Sequence, residues 1–316
     1  MDSGLVGSGY ADHLTDADLG LLVSVSEETD RPGHLAAAGA WLRSHPDALP
    51  QLIGDPRVFQ AVFGTASEAA TATGRAEQAP AAAARATLAS PFLIFAVAVH
   101  RAAAELESMD HVPERSGQRQ RVPLFDAPEL RDFLGSPARR LFLAELLGSF
   151  TRNAGPPYGA VAGRQPGARP ARRAPRRFSE LDLGRMAGLL DAVPESERAG
   201  VYRRLGDVAL FLTGVFPDYA VAHGLGPVSA ARLLRAARAP AGQQDELAAA
   251  PAIDLFEYLG ARWYRAAWGL APARTARLAV VAEVADRFRQ ARRVLNHIAD
   301  RCLFPQGNPW FAPPAP

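Results

Sequence analysis

The chain has no lysine; all 35 of its basic residues are arginine. Schiff-base catalysis, the Gly-Lys-Ser/Thr phosphate loop and the lysine ion pair of protein kinases are therefore excluded. Cysteine is almost as scarce. The single Cys302 cannot close an intramolecular disulfide or build a thiolate metal site. Isoleucine occurs four times against 63 alanines, a balance that favours helix over strand. The same Ala, Arg, Gly and Pro excess matches a GC-rich coding sequence, which weakens any argument from arginine content alone.

Long apolar runs are missing as well. The strongest, Phe92–Val99, lies between Arg85 and His100-Arg101 and is far shorter than the ~20 residues of a membrane span. Met1–Tyr10 carries Asp2 and no basic segment leading into an apolar run, so no secretion signal is read and a cytoplasmic location is expected. There is no Gly-x-Ser-x-Gly elbow, His-Glu-x-x-His zinc helix or Glu-x-x-His di-iron pair, and Gly4, Gly7 and Gly9 follow no strand. No cofactor or metal is expected, no catalytic residue is assigned, and no membrane association is expected.

What is present is a folded chain of 316 residues, 48% apolar and 22% charged. We expect an all-α multi-helix bundle in two helical halves joined by a Gly/Pro/Arg-rich linker. The N-terminal half is residues 1–150, with net charge −7; the basic linker is 151–177, with net charge +7 and no apolar periodicity; the C-terminal half is 178–304. A Pro-aromatic tail, 305–316, follows. Thr15 with Asp16 and Asp18, and the pairs Asp55-Pro56, Ser90-Pro91 and Ser136-Pro137, read as helix starts. Asp126 with Glu129 approximates a capping box. Helices are predicted over 15–28, 34–44, 56–76, 80–110, 127–134 and 137–150. After the linker they are predicted from 179, over 194–216, 227–238, 243–268 and 274–303.

Four groups of side chains invite a functional reading. His100, Glu107 and His111 fall on one helical stripe, which fits either an exposed charged face or, at Glu107 and His111, a metal-binding or proton-handling pair. Asn296, His297 and Asp300, with Arg293 and Arg301, form either a solvated polar face or a His297–Asp300 pair suited to a general base. Tyr258, Arg262, Trp263, Tyr264, Arg265 and Trp268 combine the materials of a stacked binding site, or bury their aromatics beneath arginine stems. Asp207, alone in an apolar helix, is expected to pair with one of those arginines. In the linker, Arg164, Arg169, Arg172, Arg173, Arg176 and Arg177 suit phosphate contact or docking on the acidic half.

The functional expectation is a cytoplasmic interaction or regulatory protein with a protein partner, Trp310 and Phe311 supplying a docking motif in the tail. Two alternatives stay open. One is an enzyme or small-molecule binder with a pocket converging on Asp207, Arg262 or His297; the other is nucleic-acid association through Arg172, Arg173, Arg176 and Arg177. The oligomeric state is not legible.

Overall fold

The computed structural model describes residues 3–27, 32–64, 89–115, 121–151, 181–304 and 311. The first half contributes α1 (Ser3–Ala11), α2 (Asp16–Glu27), α3 (Pro32–Ser44), α4 (Leu49–Ile53) and α5 (Pro56–Phe63). It continues with α6 (Pro91–Leu106), a hairpin of β1 (Val112–Arg115) and β2 (Arg121–Leu124), α7 (Ala127–Gly135) and α8 (Pro137–Thr151). The second half holds α9 (Leu183–Ala192), α10 (Glu195–Val215), α11 (Pro217–Ala222) and α12 (Pro227–Ala236). It ends with α13 (Gln244–Ala248), α14 (Ala252–Leu270), α15 (Ala276–Asp286), α16 (Phe288–Ile298) and a π-turn, Ala299–Leu303. The fold is all-α, with one antiparallel hairpin as its only sheet among the described residues.

Helix starts follow the capping chemistry of the sequence. Thr15 and Asp18 cap α2 reciprocally: the Thr15 N–H and hydroxyl both donate to Asp18 Oδ2 at 2.8 Å, and the Asp18 N–H donates back to Thr15 Oγ1 at 3.1 Å. The other Asp18 oxygen accepts the Ser90 N–H at 2.7 Å, while Ser90 Oγ accepts from Leu93 N–H at the start of α6. One buried carboxylate thus ties two helix starts together. Asp55 caps α5 as expected, and Ser136 Oγ accepts the Arg139 N–H at 3.4 Å.

Several expectations are corrected. The 243–268 helix is two helices, because Pro251 has no N–H to continue the ladder and instead stands before the first residue of α14. The 274–303 helix breaks at Arg287, where φ is −120° and ψ 34°, and its last turn widens to π. The 194–216 helix ends at Val215 as expected, and Pro217 then opens the short α11. The helix expected from 179 is described from Leu183, with Asp182 as its cap. Asp126 makes no capping bond; Arg293 donates to its Oδ2, and Glu129 accepts from Gln290. α5 ends at Phe63 with Gly64 as its cap, α6 starts at its Ser90 cap, and the expected helical stretch across 65–88 lies outside the described residues. The hairpin, α1 and α4 carry no periodicity signal that the sequence reading used.

Helices from both halves bury side chains in one continuous core. The most extensive helix pair is α10 with α14, and α6, α7 and α8 pack against α15 and α16. Two glycines allow close approach along α10, α14 and α16. A Cβ on Gly206 would stand 2.4 Å from the Tyr264 ring, and one on Gly260 would stand 2.2 Å from Phe288. Ion pairs link the halves at Arg139–Glu283 (3.0 Å) and Arg277–Asp12 (2.8 Å), and between Arg293 and Asp126. From the tail, Phe311 enters this core. Its ring stacks on Phe95 at 5.3 Å and meets the edge of Phe211 at 5.0 Å, leaving it 5% exposed.

Candidate functional site

α14 distributes the aromatic–arginine group over opposite faces. Trp263 and Tyr264 point inward and are fully buried; Tyr258, Arg262 and Trp268 are half-buried, and Arg265 is exposed. Asp207 pairs with Arg203, one turn earlier on α10, and not with Arg262 or Arg265. Arg203 Nε and the Tyr264 hydroxyl both donate to Asp207 Oδ1 at 2.8 Å. The reason is positional: Asp207 faces Tyr264 across the α10–α14 crossing, whereas Arg262 and Arg265 lie on the outer side of α14. Burial and the Asp207 charge push the Tyr264 hydroxyl well above its ordinary pKa, so it remains a donor.

His297 also serves the core. It is buried, which overturns the solvated-face expectation, and its Nε2 stands 3.3 Å from Glu105 on α6. The His297 hydrogen bond and the Arg101 pair pull that carboxyl down to about 2. Asn296 is buried beside it and donates to the Thr213 carbonyl at 3.1 Å. Burial raises the Cys302 thiol to about 12, so it stays protonated and unreactive. The His100–Glu107–His111 stripe does not form, because α6 ends at Leu106; His111 lies beyond it, next to Phe125.

A cleft of about 530 Å³ near α11, α14 and α16 is lined by Glu114, Asp254, Glu257, Arg289, Arg292 and Arg293. Its charges are largely taken up among themselves. Arg292 donates to Glu257 at 2.6 Å, to Asn296 at 3.0 Å and to Glu114, and Arg289 donates to Glu257 at 3.0 Å. This network fixes the hairpin and α14 onto α16.

The charge that remains uncommitted is elsewhere. A groove of about 450 Å³ between α9, α10 and α12 is lined by Arg198, Arg232, Arg235 and Arg238, with Asp191 as its one acid. Among the described residues none of these four arginines pairs with a carboxylate, and the buried Arg198 Nε has no hydrogen-bond partner. Arg232 lies across Gly188 of α9, where a Cβ would come within 3.2 Å of its Nη2. A second groove of about 370 Å³ shares Tyr202 and Arg238 with the first and continues to Arg262, Arg265 and Leu270.

The junction of the two grooves is conformationally unusual. Arg238 has φ 54°, the left-handed region where glycine is ordinarily used and an L side chain costs about 1 kcal/mol. The turn is closed by Ala239 N–H to Leu234 O at 2.9 Å. Arg262 holds it from α14, donating to the Ala237 carbonyl at 3.0 Å and the Arg238 carbonyl at 2.5 Å. Arg262 is therefore both a groove wall and the brace that positions Arg238.

Sequence reasoning picked out Arg262 and Arg265 but missed Arg198, Arg232, Arg235 and Arg238. The three-residue spacing of Arg232 and Arg235 was the available signal, since it places those two side chains on one side of α12; Arg238 follows past its end. Neither groove is lined by Asp207 or His297. Trp310 and the linker arginines Arg172, Arg173, Arg176 and Arg177 lie outside the described residues, and Phe311 is committed to the chain's own core. No group of three side chains able to hold a metal, and no helix long and apolar enough to cross a membrane, occurs among the described residues. Comparison with protein-family models, curated proteins and solved structures returns no match.

Proposed function

We propose that this chain is a helical interaction protein that binds an acidic segment of a protein partner along the arginine grooves of its C-terminal half. The observation that carries the reading is the set of four arginines, Arg198, Arg232, Arg235 and Arg238, gathered around one acid without carboxylate partners among the described residues. Arginine guanidinium groups suit carboxylates because their planar fork meets both oxygens. Apolar patches interleave with the charges: Ala187 and Leu190 in one groove, Ala266 and Leu270 in the other. That mixture favours an amphipathic acidic peptide over a nucleic-acid strand.

Stacking faces for bases are also poorly supplied. Tyr202 is buried, Arg262 lies over the Tyr258 ring at 5.8 Å, and Arg274 lies over Trp268 at 5.2 Å. A regulatory role in the cytoplasm belongs to the same proposal. The test is fluorescence anisotropy with a labelled Glu/Leu amphipathic peptide and an oligodeoxythymidine of equal charge. Saturable, salt-weakened binding of the peptide supports the reading. Binding of the oligonucleotide alone moves the assignment to nucleic acid, and binding of neither removes it.

A further inference from the structure

A separate recess of about 530 Å³ lies among helices of the N-terminal half, away from the residues of the arginine grooves. Its walls include Gln51 and Gly54 at the end of α4, His100 within α6 and Glu107 just past its end, Arg131 on α7 and Arg140 on α8. Two of these side chains, Arg140 and His100, have nitrogen atoms without a hydrogen-bond partner. Arg140 forms no ion pair among the described residues, and its buried Nε has no hydrogen-bond partner. His100 is 7% exposed; the Tyr10 hydroxyl meets its Nε2 at 3.0 Å, while its Nδ1 has no hydrogen bond to the described residues.

The direction of the Tyr10–His100 bond follows from proton accounting. Tyr10 is fully buried, and burial raises its pKa far above the ordinary value, so the hydroxyl keeps its proton. His100 Nε2 is its one described partner. The reverse direction would strand the hydroxyl proton inside the core, so Tyr10 donates to Nε2 and the proton of the neutral ring sits on Nδ1, at the recess. Burial, then the Arg140 charge, hold the imidazole neutral down to about pH 3. Nδ1 lies at the Gly54 wall of the recess, where an added Cβ would stand 3.3 Å from it.

The recess therefore collects donors. Nδ1–H of His100 is unmet, Arg140 lines the recess without an ion pair among the described residues, and Arg131 spends only Nη1 on the Glu107 carbonyl, at 3.1 Å. The one acid in the lining, Glu107, is exposed. Unmet donors beside two guanidinium groups, in a recess large enough for a small molecule, are what an oxyanion needs. We infer that this recess binds a small metabolite through its phosphate or carboxylate group, gripped by Arg140 and Arg131, with His100 Nδ1–H completing the hydrogen-bond set.

The test uses full-length protein labelled with ¹⁵N-histidine. It is titrated with inorganic phosphate and, separately, with succinate, following the His100 Nδ1 resonance identified by its loss in His100→Gln. The expected result is a saturable shift with one of the two anions, which also assigns phosphate or carboxylate. Arg140→Gln should then weaken that affinity about tenfold, the loss of one charge-assisted hydrogen bond. Arg131→Gln, whose only described bond is to a backbone carbonyl, should weaken it several-fold and serves if Arg140→Gln does not fold. No saturable shift at His100 with either anion, or an affinity unchanged in both arginine variants, overturns the assignment.

Discussion

The Tyr264 hydroxyl and Arg203 Nε converge on the same oxygen of Asp207, each at 2.8 Å, at the crossing of α10 and α14. Arg203 also lies over the Phe142 and Tyr264 rings at 4.7 and 5.8 Å, so one carboxylate orders a cationic and two aromatic side chains. Tyr264→Phe removes a single buried hydrogen bond and should cost about 1–2 kcal/mol of unfolding free energy. Asp207→Ala should cost more, about 2–3 kcal/mol, because it also leaves Arg203 without its ion partner. Urea denaturation of the two variants measures both, and equal losses would show that Arg203 finds another partner.

Close packing of α14 on α16 rests on Gly260. With Phe288 Cζ only 2.2 Å from where a Cβ would stand, Gly260→Ala must displace an aromatic ring in a filled core. A loss of about 1–3 kcal/mol is expected, despite the better helix propensity of alanine. An unchanged melting temperature would mean that the two helices can separate at no cost.

His100 makes stability depend on acid. In the unfolded chain its ordinary pKa of 6.5 applies, while the folded ring resists protonation to about 3. The unfolded state therefore binds the extra proton first, and stability present above pH 6.5 is lost as pH falls from 6.5 towards 3. The slope is at most about 1.4 kcal/mol per pH unit. Glu105, with its carboxyl pulled to about 2 from an ordinary 4.5, adds a further loss below pH 4.5. Stability measured by denaturant titration across this range should show a shallower limb between pH 6.5 and 4.5 in His100→Gln than in the wild type.

Phe311 is an internal residue in all but sequence position. Phe311→Ala removes a ring packed on Phe95, Phe211 and Phe216 and should cost about 3 kcal/mol or more. Calorimetry decides the matter: a variant that keeps its melting temperature would place the tail outside the core and restore Phe311 to a docking role.

Fold class and most helix starts were legible because capping is local chemistry. Thr15, Asp55 and Ser90 accept backbone N–H groups within three residues of themselves, and no distant contact is needed to read them. Asp126 shows the opposite case: it makes no capping bond and instead meets Arg293, a residue 167 positions away. Helix breaks at Pro251 and Arg287 were hidden because apolar periodicity runs through both. The candidate site was half legible. Arg262 stood out beside aromatics, but Arg232, Arg235 and Arg238 flank Leu233 and Leu234 and read as the wet face of a short amphipathic helix. Only the approach of α9 and α14 turns that face into a groove.

Arg238 allows the groove assignment to be tested apart from stability. Glycine adopts its left-handed backbone without steric cost, so Arg238→Gly should leave the melting temperature unchanged or raise it, while removing one guanidinium from both grooves. The deciding measurement is the affinity of this variant for the labelled acidic peptide at low and at physiological salt. The account predicts a fall of about two- to five-fold at low salt, narrowing as salt screens the remaining charges. A variant as stable as the wild type that binds the peptide with unchanged affinity would contradict it.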